Sequence, residues 1–301
     1  MGGFEHRESA VTFRDRLERL NLAAEVHDVE PTEALRGKTV LRLDVTDAER
    51  WSSKENAEQL LPYFGQIAYQ AYAERDDKRP FNLDDPEMRA EAFDHIYDAD
   101  LTCARSVYVV AEGERPLGFL TLEDLSSEAG RQAGLVGLVA TDREARNQGI
   151  AKELYRYVFN SGEFDEVASV SSTPALVKVQ LEIGRQCGYT GFYCGFREGK
   201  YGDRGSPDQQ QAVDRLTDLV TNDYVEDEVA IPAAQIPKHF IVMREGCGLP
   251  PITARDVRFS DKDAELRETF ERAVLPTQAE HLPRTVYGIV LNVRERPDVN
   301  S

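Results

Sequence analysis

The sequence predicts a mixed α/β fold, because segments with strand periodicity alternate with segments of helical periodicity. Hydrophobic residues make up 41% of the 301 residues, which is enough to bury a substantial core. The apolar runs 106–111 and 117–123 flank a turn at 112–116 and predict a β-hairpin. We therefore expect a sheet with antiparallel strands packed against helices.

Further strand patterns extend this sheet on both sides of the hairpin. Residues 39–45 alternate apolar and polar side chains, as a half-buried strand does. Residues 134–141 are mostly apolar, which is typical of a central strand covered on both faces. Shorter strands are expected at 167–171 and 190–196.

Helical patterns flank these strands. The predicted helices lie at 8–25, 54–72, 85–96, 149–159 and 174–186. Their starts carry recognisable signals, since Pro86 and Pro174 fit a first helical turn and Thr173 fits an N-cap. The first 36 residues are interpreted as an N-terminal helical extension.

A second unit is predicted after residue 197. The run 197–207 is rich in glycine and charge and is typical of a linker. Beyond it, helices are expected at 209–220, 239–244 and 263–274, and strands ending at 231–232 and covering 285–293. We therefore divide the chain into an extension (1–36), a main domain (37–197) and a smaller C-terminal α/β domain (208–301).

The charge of the chain restricts its partners. The formal net charge is −18, with 54 acidic residues against 36 basic ones. Nucleic-acid phosphates and anionic membranes attract the opposite charge, so we expect neither as a partner. No apolar run approaches the ~20 residues of a membrane helix, and the N-terminus lacks the pattern of a signal peptide. We expect an acidic cytoplasmic protein, in which the acidity is either ordinary or an adaptation to high salt.

Metal binding is not indicated by the cysteines or histidines. The four cysteines show no C-x-x-C spacing, and no two histidines lie four residues apart, as a helical metal pair requires. We expect no metal site and no disulfide framework.

One turn carries the chemical signal. The strand 134–141 ends in a charged turn, and the pattern R-x-x-G-x-A then opens a helix. The first turn of a helix leaves backbone N–H groups without partners, and its dipole favours negative charge. Gly149 would let a phosphate group approach the backbone, and Lys152 adds positive charge. The residues predicted to bind an anion are Arg146, Asn147, Gln148, Gly149, Ile150 and Ala151.

This segment resembles the acyl-CoA motif of the GNAT superfamily, written Q/R-x-x-G-x-G/A after a strand. Asp-Arg-Glu-Ala at 142–145 stands where that family often has D-P-E-Y. The order of elements over 37–197 also agrees, down to a closing helix followed by Gly188–Tyr189. The resemblance implies a GNAT-type mixed, mostly antiparallel sheet that binds acetyl-CoA or another acyl-CoA. It further implies that the backbones of Val139 and Thr141 pair with the pantetheine arm.

The resemblance also implies an activity, transfer of an acyl group, in particular acetyl, to a small-molecule or protein amine. Such a transfer needs a base for the ammonium and an acid for the departing thiolate. The family often uses a carboxylate on a central strand and a tyrosine on the closing helix. In this sequence the strand 134–141 contains no carboxylate, and the helix 174–186 contains no tyrosine. Our candidates are Glu123 as base, with Asp124 beside it, and Tyr193 as acid, with Tyr189 as the alternative.

Two other functional interpretations stay open on the sequence. The departures from the usual catalytic residues are compatible with a non-catalytic acyl-CoA sensor. A protein-interaction module, in which the C-terminal part binds a partner, is a third possibility. Thiol release with candidate amines separates an enzyme from a sensor.

Overall fold

The computed structural model describes most of the chain up to residue 224 and short segments beyond it. The described residues are 12–72, 80–97, 101, 104–125, 131–171, 174–193, 195–197, 203–224, 240–244, 264, 266, 268–269 and 284–294. The predicted cap at Thr173, the strand ending at 231–232 and most of the helix at 263–274 lie outside these residues.

The elements alternate as the sequence predicts. The strands are β1 (Ala24–Val29), β2 (Thr39–Val45), β3 (Ser106–Glu112), β4 (Arg115–Leu125), β5 (Ala133–Thr141), β6 (Glu166–Ser171), β7 (Tyr189–Tyr193), β8 (Phe196–Arg197), β9 (Phe240–Arg244) and β10 (Arg284–Arg294). The α-helices are α1 (Phe13–Arg19), α2 (Ala48–Trp51), α3 (Lys54–Tyr72), α4 (Pro86–Tyr97), α5 (Ile150–Asn160), α6 (Pro174–Gln186) and α7 (Pro207–Tyr224). The helices predicted at 54–72 and 174–186 are confirmed residue for residue.

Local side-chain signals set the starts of two helices. Thr12 and Asp15 form a capping box at α1, in which each side chain binds the backbone N–H of the other. Asp85 precedes α4, and its carboxylate accepts from the N–H of Glu87 at 3.0 Å. Pro86 then occupies the first helical position, where its missing N–H costs nothing.

The strands of the described chain form one mixed sheet. Their order is β1-β2-β3-β4-β5-β6-β10-β7-β8, and β9 pairs with the first half of β10. All neighbouring strands are antiparallel except β5 and β6, which are parallel. The predicted mixed, mostly antiparallel sheet flanked by helices is therefore confirmed.

Helices cover both faces of this sheet. On β4, Phe119 packs with the core of α1, α3 and α4, whereas the next residue, Leu120, packs with α5. We call these the α3 face and the α5 face. Leu125 lies on the same face as Phe119, because side chains alternate along a strand. It joins the third apolar cluster, which α7 and β10 build on the α3 face.

Two sequence predictions need correction. The N-terminal extension is not wholly helical, since β1 pairs along its length with β2 and begins the sheet. Residues 240–244 form strand β9 rather than the predicted helix. Their run Phe-Ile-Val-Met favours a strand once β10 supplies a partner, and a pairing 40 residues away in sequence cannot be read from local periodicity.

The last described strand bears on the predicted C-terminal domain, 208–301. Strand β10 lies between β6 and β7, pairing with both, and α7 packs on it through Leu216 and Val220. A strand in the middle of a sheet cannot be separated without breaking backbone hydrogen bonds on both sides. This arrangement argues against a C-terminal unit that folds alone, and a truncation described in the Discussion tests the boundary.

Candidate functional site

A gap opens in the middle of the sheet, between β5 and β6. Their parallel pairing runs from Ala133 opposite Glu166 to Val136 opposite Ser169, and no pair is found beyond it among the described residues. Strand β5 nevertheless continues to Thr141. Its residues up to 136 are buried, whereas 137–139 are partly exposed. The free edge of β5 can therefore pair with an extended ligand, as sheet edges do with peptides.

A β-bulge explains why β5 leaves β6 at this point. Leu120 pairs with Val139 but Leu122 pairs with Val136, so β5 contains one residue more than β4 in this stretch. The hydroxyl of Thr121 fills the irregularity and accepts from the N–H of Leu138 at 2.7 Å. A bulge generally bends the strand that contains it, and the pairing of β5 with β6 ends at this point.

The predicted anion site lies directly after this strand. We name residues 142–149 the β5–α5 turn. Asn147 and Gly149 have left-handed backbones, with φ of 65° and 78°. Gly149 is the N-cap of α5 and provides no side-chain cap, and the first helical bond runs from Glu153 N–H to its carbonyl at 3.0 Å. The N–H groups of the first turn are thus left for a ligand.

The space in front of this helix start is open. A Cβ placed on Gly149 would meet no atom within 4 Å, and residues 146–149 are exposed. The side chain of Ile150 is buried and only 1% exposed. It packs so closely against Gly118 that a Cβ added to that glycine would lie 2.9 Å from it. The buried Ile150 anchors the helix, while the exposed backbone before it remains accessible to an anion.

Lys152 and Arg146, the two cations that the sequence analysis places at the anion site, are engaged by protein groups. Lys152 forms an ion pair of 2.9 Å with Glu182 on α6, and that hydrogen bond lowers the pKa of Glu182. The Arg146 guanidinium donates to the backbone carbonyl of Gln70 on α3 at 3.3 Å. Anion binding at this turn would therefore rest mainly on backbone N–H groups and the dipole of α5.

The structure places the other predicted cofactor-binding residues on the free part of β5. Val139 and Thr141 follow the bulge and pair with Leu120 and Gly118 of β4. Both side chains are partly exposed, and their other backbone edge faces the gap. The geometry suits the expected backbone role, which stays a prediction.

Glu123 and Tyr193, the predicted base and acid, are not brought together. Glu123 pairs with Leu135, whose side chain lies in the apolar cluster that α7 and β10 build (the α7 cluster), so both project from the α3 face. Tyr193 follows Phe192, a member of that same cluster, and therefore projects from the α5 face. Because β10 separates β6 from β7, Tyr193 also lies four strands from Glu123, about 19 Å at the usual spacing.

The alternative catalytic candidates have structural roles. Asp124 is exposed and forms an ion pair with Arg105. The Tyr189 hydroxyl donates to the carbonyl of Phe164 at 2.6 Å, inside the core of the α5 face. Burial raises the pKa of the Cys187 thiol, which disfavours a nucleophilic thiolate.

A buried polar chain lies where β5 and β6 separate, and the sequence analysis missed it. Tyr155 of α5 is hydrogen-bonded to Ser169, the last β6 residue paired with β5. The Ser169 hydroxyl donates to Gln180 on α6, whose amide donates to Asn292 on β10 at 3.0 Å. Burial raises the pKa of Tyr155, so its hydroxyl stays protonated. Only Asn292, from the distant C-terminal strand, completes this chain.

Gly184 of α6 makes room for that asparagine. A Cβ on Gly184 would lie 2.1 Å from Asn292 Nδ2, an atom without a hydrogen-bond partner among the described residues. We expect Gly184→Ala to lower the free energy of unfolding by about 1–3 kcal/mol, since overpacking outweighs the gain in helix propensity. Urea unfolding measures this.

A double-mutant cycle provides the control for Gly184→Ala. In an Asn292→Ala background the clashing amide is absent, so Gly184→Ala should there be neutral or stabilising. A loss of the same size in both backgrounds would show that Asn292 is not the group that excludes the methyl.

Two further features are absent from the described residues. No described helix is long and apolar enough to span a membrane. Within the same described ranges, no group of three or more metal-ligating side chains is found.

Comparison with known proteins identifies the central segment. Residues 68–166 match the family model described as acetyltransferase (GNAT) family. This match covers α3 from Ala68 onward, the hairpin, β5, the β5–α5 turn and α5. No curated protein matches the chain significantly.

Solved structures resemble the chain at low identity. A Pyrococcus horikoshii protein, PH1933, is 15% identical over 60% of this chain and 92% of its own, with a TM-score of 0.31. An aminoglycoside acetyltransferase from an uncultured soil metagenomic sample is 18% identical over 50% and 88%, with a TM-score of 0.30. A diaminobutyrate acetyltransferase from Paenibacillus lautus is 14% identical over 60% and 90%, with a TM-score of 0.28. Such values assign no acceptor.

Proposed function

We propose that this protein, whose residues 68–166 match the acetyltransferase (GNAT) family model, transfers an acyl group, acetyl in the first instance, from acyl-CoA to an amine. The observation that carries the proposal is the open α5 start beside the free edge of β5. The start of α5 provides N–H groups and a dipole for the pyrophosphate. The free edge of β5 provides unpaired backbone for the amide-containing pantetheine arm.

The residues of the β5–α5 turn and of β5 follow one another in the same order as the pyrophosphate and the pantetheine arm of acyl-CoA. The pyrophosphate would lie against the N–H groups of 146–151, where a Cβ on Gly149 would meet no atom. The arm would then run along Val139 and Thr141 toward the bulge, and so into the gap between β5 and β6. Bound acyl-CoA supplies the thioester, and the chain supplies orientation and proton transfer.

Proton removal is the step for which this chain must supply a group. An amine with a pKa near 10 is almost wholly protonated at neutral pH and must lose a proton before its nitrogen attacks. The nitrogen–carbon bond then forms, the carbon–sulfur bond breaks, and the thiolate takes up the second proton, which the nitrogen loses as it becomes an amide. We assign the first proton to Glu123, which is partly exposed on the α3 face and pairs with Leu135, one residue before the pairing of β5 with β6 ends. We do not retain Tyr193 as the acid, because it lies on the opposite face.

The acceptor is proposed to be a cationic amine, either a small molecule or a protein side chain. The net charge of −18 concentrates cations near the surface and steers them toward a site. The experiment that tests the proposed reaction is thiol release from acetyl-CoA with a panel of polyamines, amino acids and lysine peptides. Product mass spectrometry should show one added acetyl group on nitrogen.

We expect Glu123→Gln to lower the rate by roughly 10²-fold or more while leaving CoA affinity unchanged, as loss of a general base does. Steady-state thiol release and calorimetry with CoA measure the two quantities. Asp124→Asn is the matched control, because Asp124 projects from the α5 face and is paired with Arg105. A fully active Glu123→Gln enzyme would remove Glu123 from the mechanism.

A non-catalytic acyl-CoA sensor is the second candidate. It is favoured by one observation, the placement of Glu123 and Tyr193 on opposite faces, which leaves the thiolate without the predicted acid. A sensor would bind CoA in calorimetry but release no thiol with any amine above the rate of hydrolysis. Acetylated product at a rate that depends on the amine concentration would exclude it.

A further inference from the structure

The β5–α5 turn is attached to a helix on the other side of the sheet. Asp142, the first residue of the turn, has a side chain only 2% exposed. Its carboxylate accepts from the side-chain amide of Gln66 on α3 at 2.8 Å. It also accepts from Arg115 at 2.9 Å and from the N–H of Glu144 at 2.8 Å. One buried carboxylate thus joins α3, β4 and the turn.

A second attachment lies one helical turn further along α3. The side-chain oxygen of Gln70 accepts from the N–H of Arg143 at 2.9 Å. The backbone carbonyl of the same residue accepts from Arg146 at 3.3 Å. Gln66 and Gln70 are four residues apart and therefore lie on the same face of α3. That face is directed at the turn.

Helix α3 is a firm support for these contacts. Phe64, Ile67 and Ala68, between and beside the two glutamines, are each 1% exposed in the core of the α3 face. The turn, in contrast, is exposed over 146–149 and contains two left-handed residues. Such a segment is ordered by contacts outside itself, because its own sequence does not enforce one conformation.

We propose that Gln66 and Gln70 are positioning residues, which hold the β5–α5 turn in the geometry that binds the pyrophosphate of acyl-CoA. This inference rests on the proposed function and adds the residues that prepare its anion site. Ordering the turn in advance reduces the entropy lost on binding. Weakening the attachment should therefore raise the Kd for CoA, while the rate at saturating acyl-CoA changes little.

The two glutamines allow a matched test, because their hydrogen bonds run in opposite directions. Gln66 donates to a carboxylate, so Gln66→Glu removes the donor and sets a second carboxylate against Asp142. Gln70 accepts from a backbone N–H, so Gln70→Glu keeps the acceptor. Both changes add one negative charge to the same helix face, so general repulsion of CoA is equal in the pair.

Calorimetry with CoA should separate the two variants. We expect Gln66→Glu to raise the Kd roughly tenfold or more, the effect of losing a hydrogen bond to a charged group. We expect Gln70→Glu to stay within about threefold of the unmodified protein. In thiol release, Gln66→Glu should raise KM for acetyl-CoA and leave kcat within about twofold, which general unfolding would not do.

The outcomes distinguish this inference from the proposed function. If the unmodified protein does not bind CoA, the proposed function fails first. If it binds and the two variants lose affinity equally, repulsion alone explains the loss and the positioning role is wrong. Should Gln66→Glu fail to fold, Gln66→Leu removes the donor without adding charge. Unchanged CoA affinity in a folded Gln66→Leu protein would also overturn the inference.

Discussion

Replacing Gly149 with glutamate is expected to raise the Kd for CoA by roughly 100-fold or more. The new carboxylate would stand at the start of α5, where the structure leaves open space and unpaired N–H groups. Two like charges about 4 Å apart near a protein surface repel by ~4 kcal/mol. That repulsion would oppose the pyrophosphate at the position where the dipole of α5 attracts it. Calorimetry with CoA measures the change.

Gly162 provides the control for Gly149→Glu. It also has a left-handed backbone, with φ of 72°, and a Cβ there would likewise meet no atom within 4 Å. Gly162→Glu therefore carries the same charge and a similar strain of about 1–2 kcal/mol, but at the opposite end of α5. It should lower the melting temperature comparably and leave CoA affinity within about twofold. Equal losses of affinity would place the pyrophosphate elsewhere.

Removal of β10 is expected to abolish the cooperative fold. Ile289, Val290, Leu291 and Val293 are each at most 3% exposed. Burying four such side chains contributes about 6–12 kcal/mol, comparable with the whole stability of a domain, about 5–15 kcal/mol. The loss would also leave β6 and β7 with unpaired edges. Thermal unfolding of a chain ending at residue 283, followed by circular dichroism, measures this.

Two further variants make the β10 prediction specific. A chain ending at residue 294 keeps β10 and should unfold like the full-length protein. Leu291→Asp keeps the chain length but places a charge in the α7 cluster, and it should destabilise strongly. A chain of 1–283 that unfolds cooperatively and binds CoA would instead support the predicted boundary at 197–208.

Much of the fold could be predicted because its elements follow local rules. The periodicity of α3 and α6, the hairpin of β3 and β4, and the strand β10 itself are all visible in the sequence. The order of the strands is not, because pairing is a contact between distant segments. The sequence places β7 after β6 along the chain, but β10 occupies the position between them in the sheet.

The same distinction explains the outcome for the catalytic candidates. The sequence predicts that Glu123 lies on a strand next to β5, and the pairing of β4 with β5 confirms that neighbour. Tyr193 lies four strands from Glu123 because β10 is inserted between β6 and β7, and it projects from the opposite face. Neither fact can be read from the local sequence. Gln66 and Gln70 carry no sequence signal beyond their four-residue spacing, because their partners lie more than 70 residues away.

The sequence by itself determined the helix start at Gly149, the central strand before it and the acidic character of the chain. Each of these depends on neighbouring residues or on composition, which a linear sequence contains in full. Only the tertiary structure decided that β5 bulges away from β6, that Asp142 is buried against α3, and that Asn292 reaches the same region from the C-terminal strand. Those features arise when segments far apart in the chain compete for the same hydrogen bonds and the same buried space, and that competition is settled only by packing.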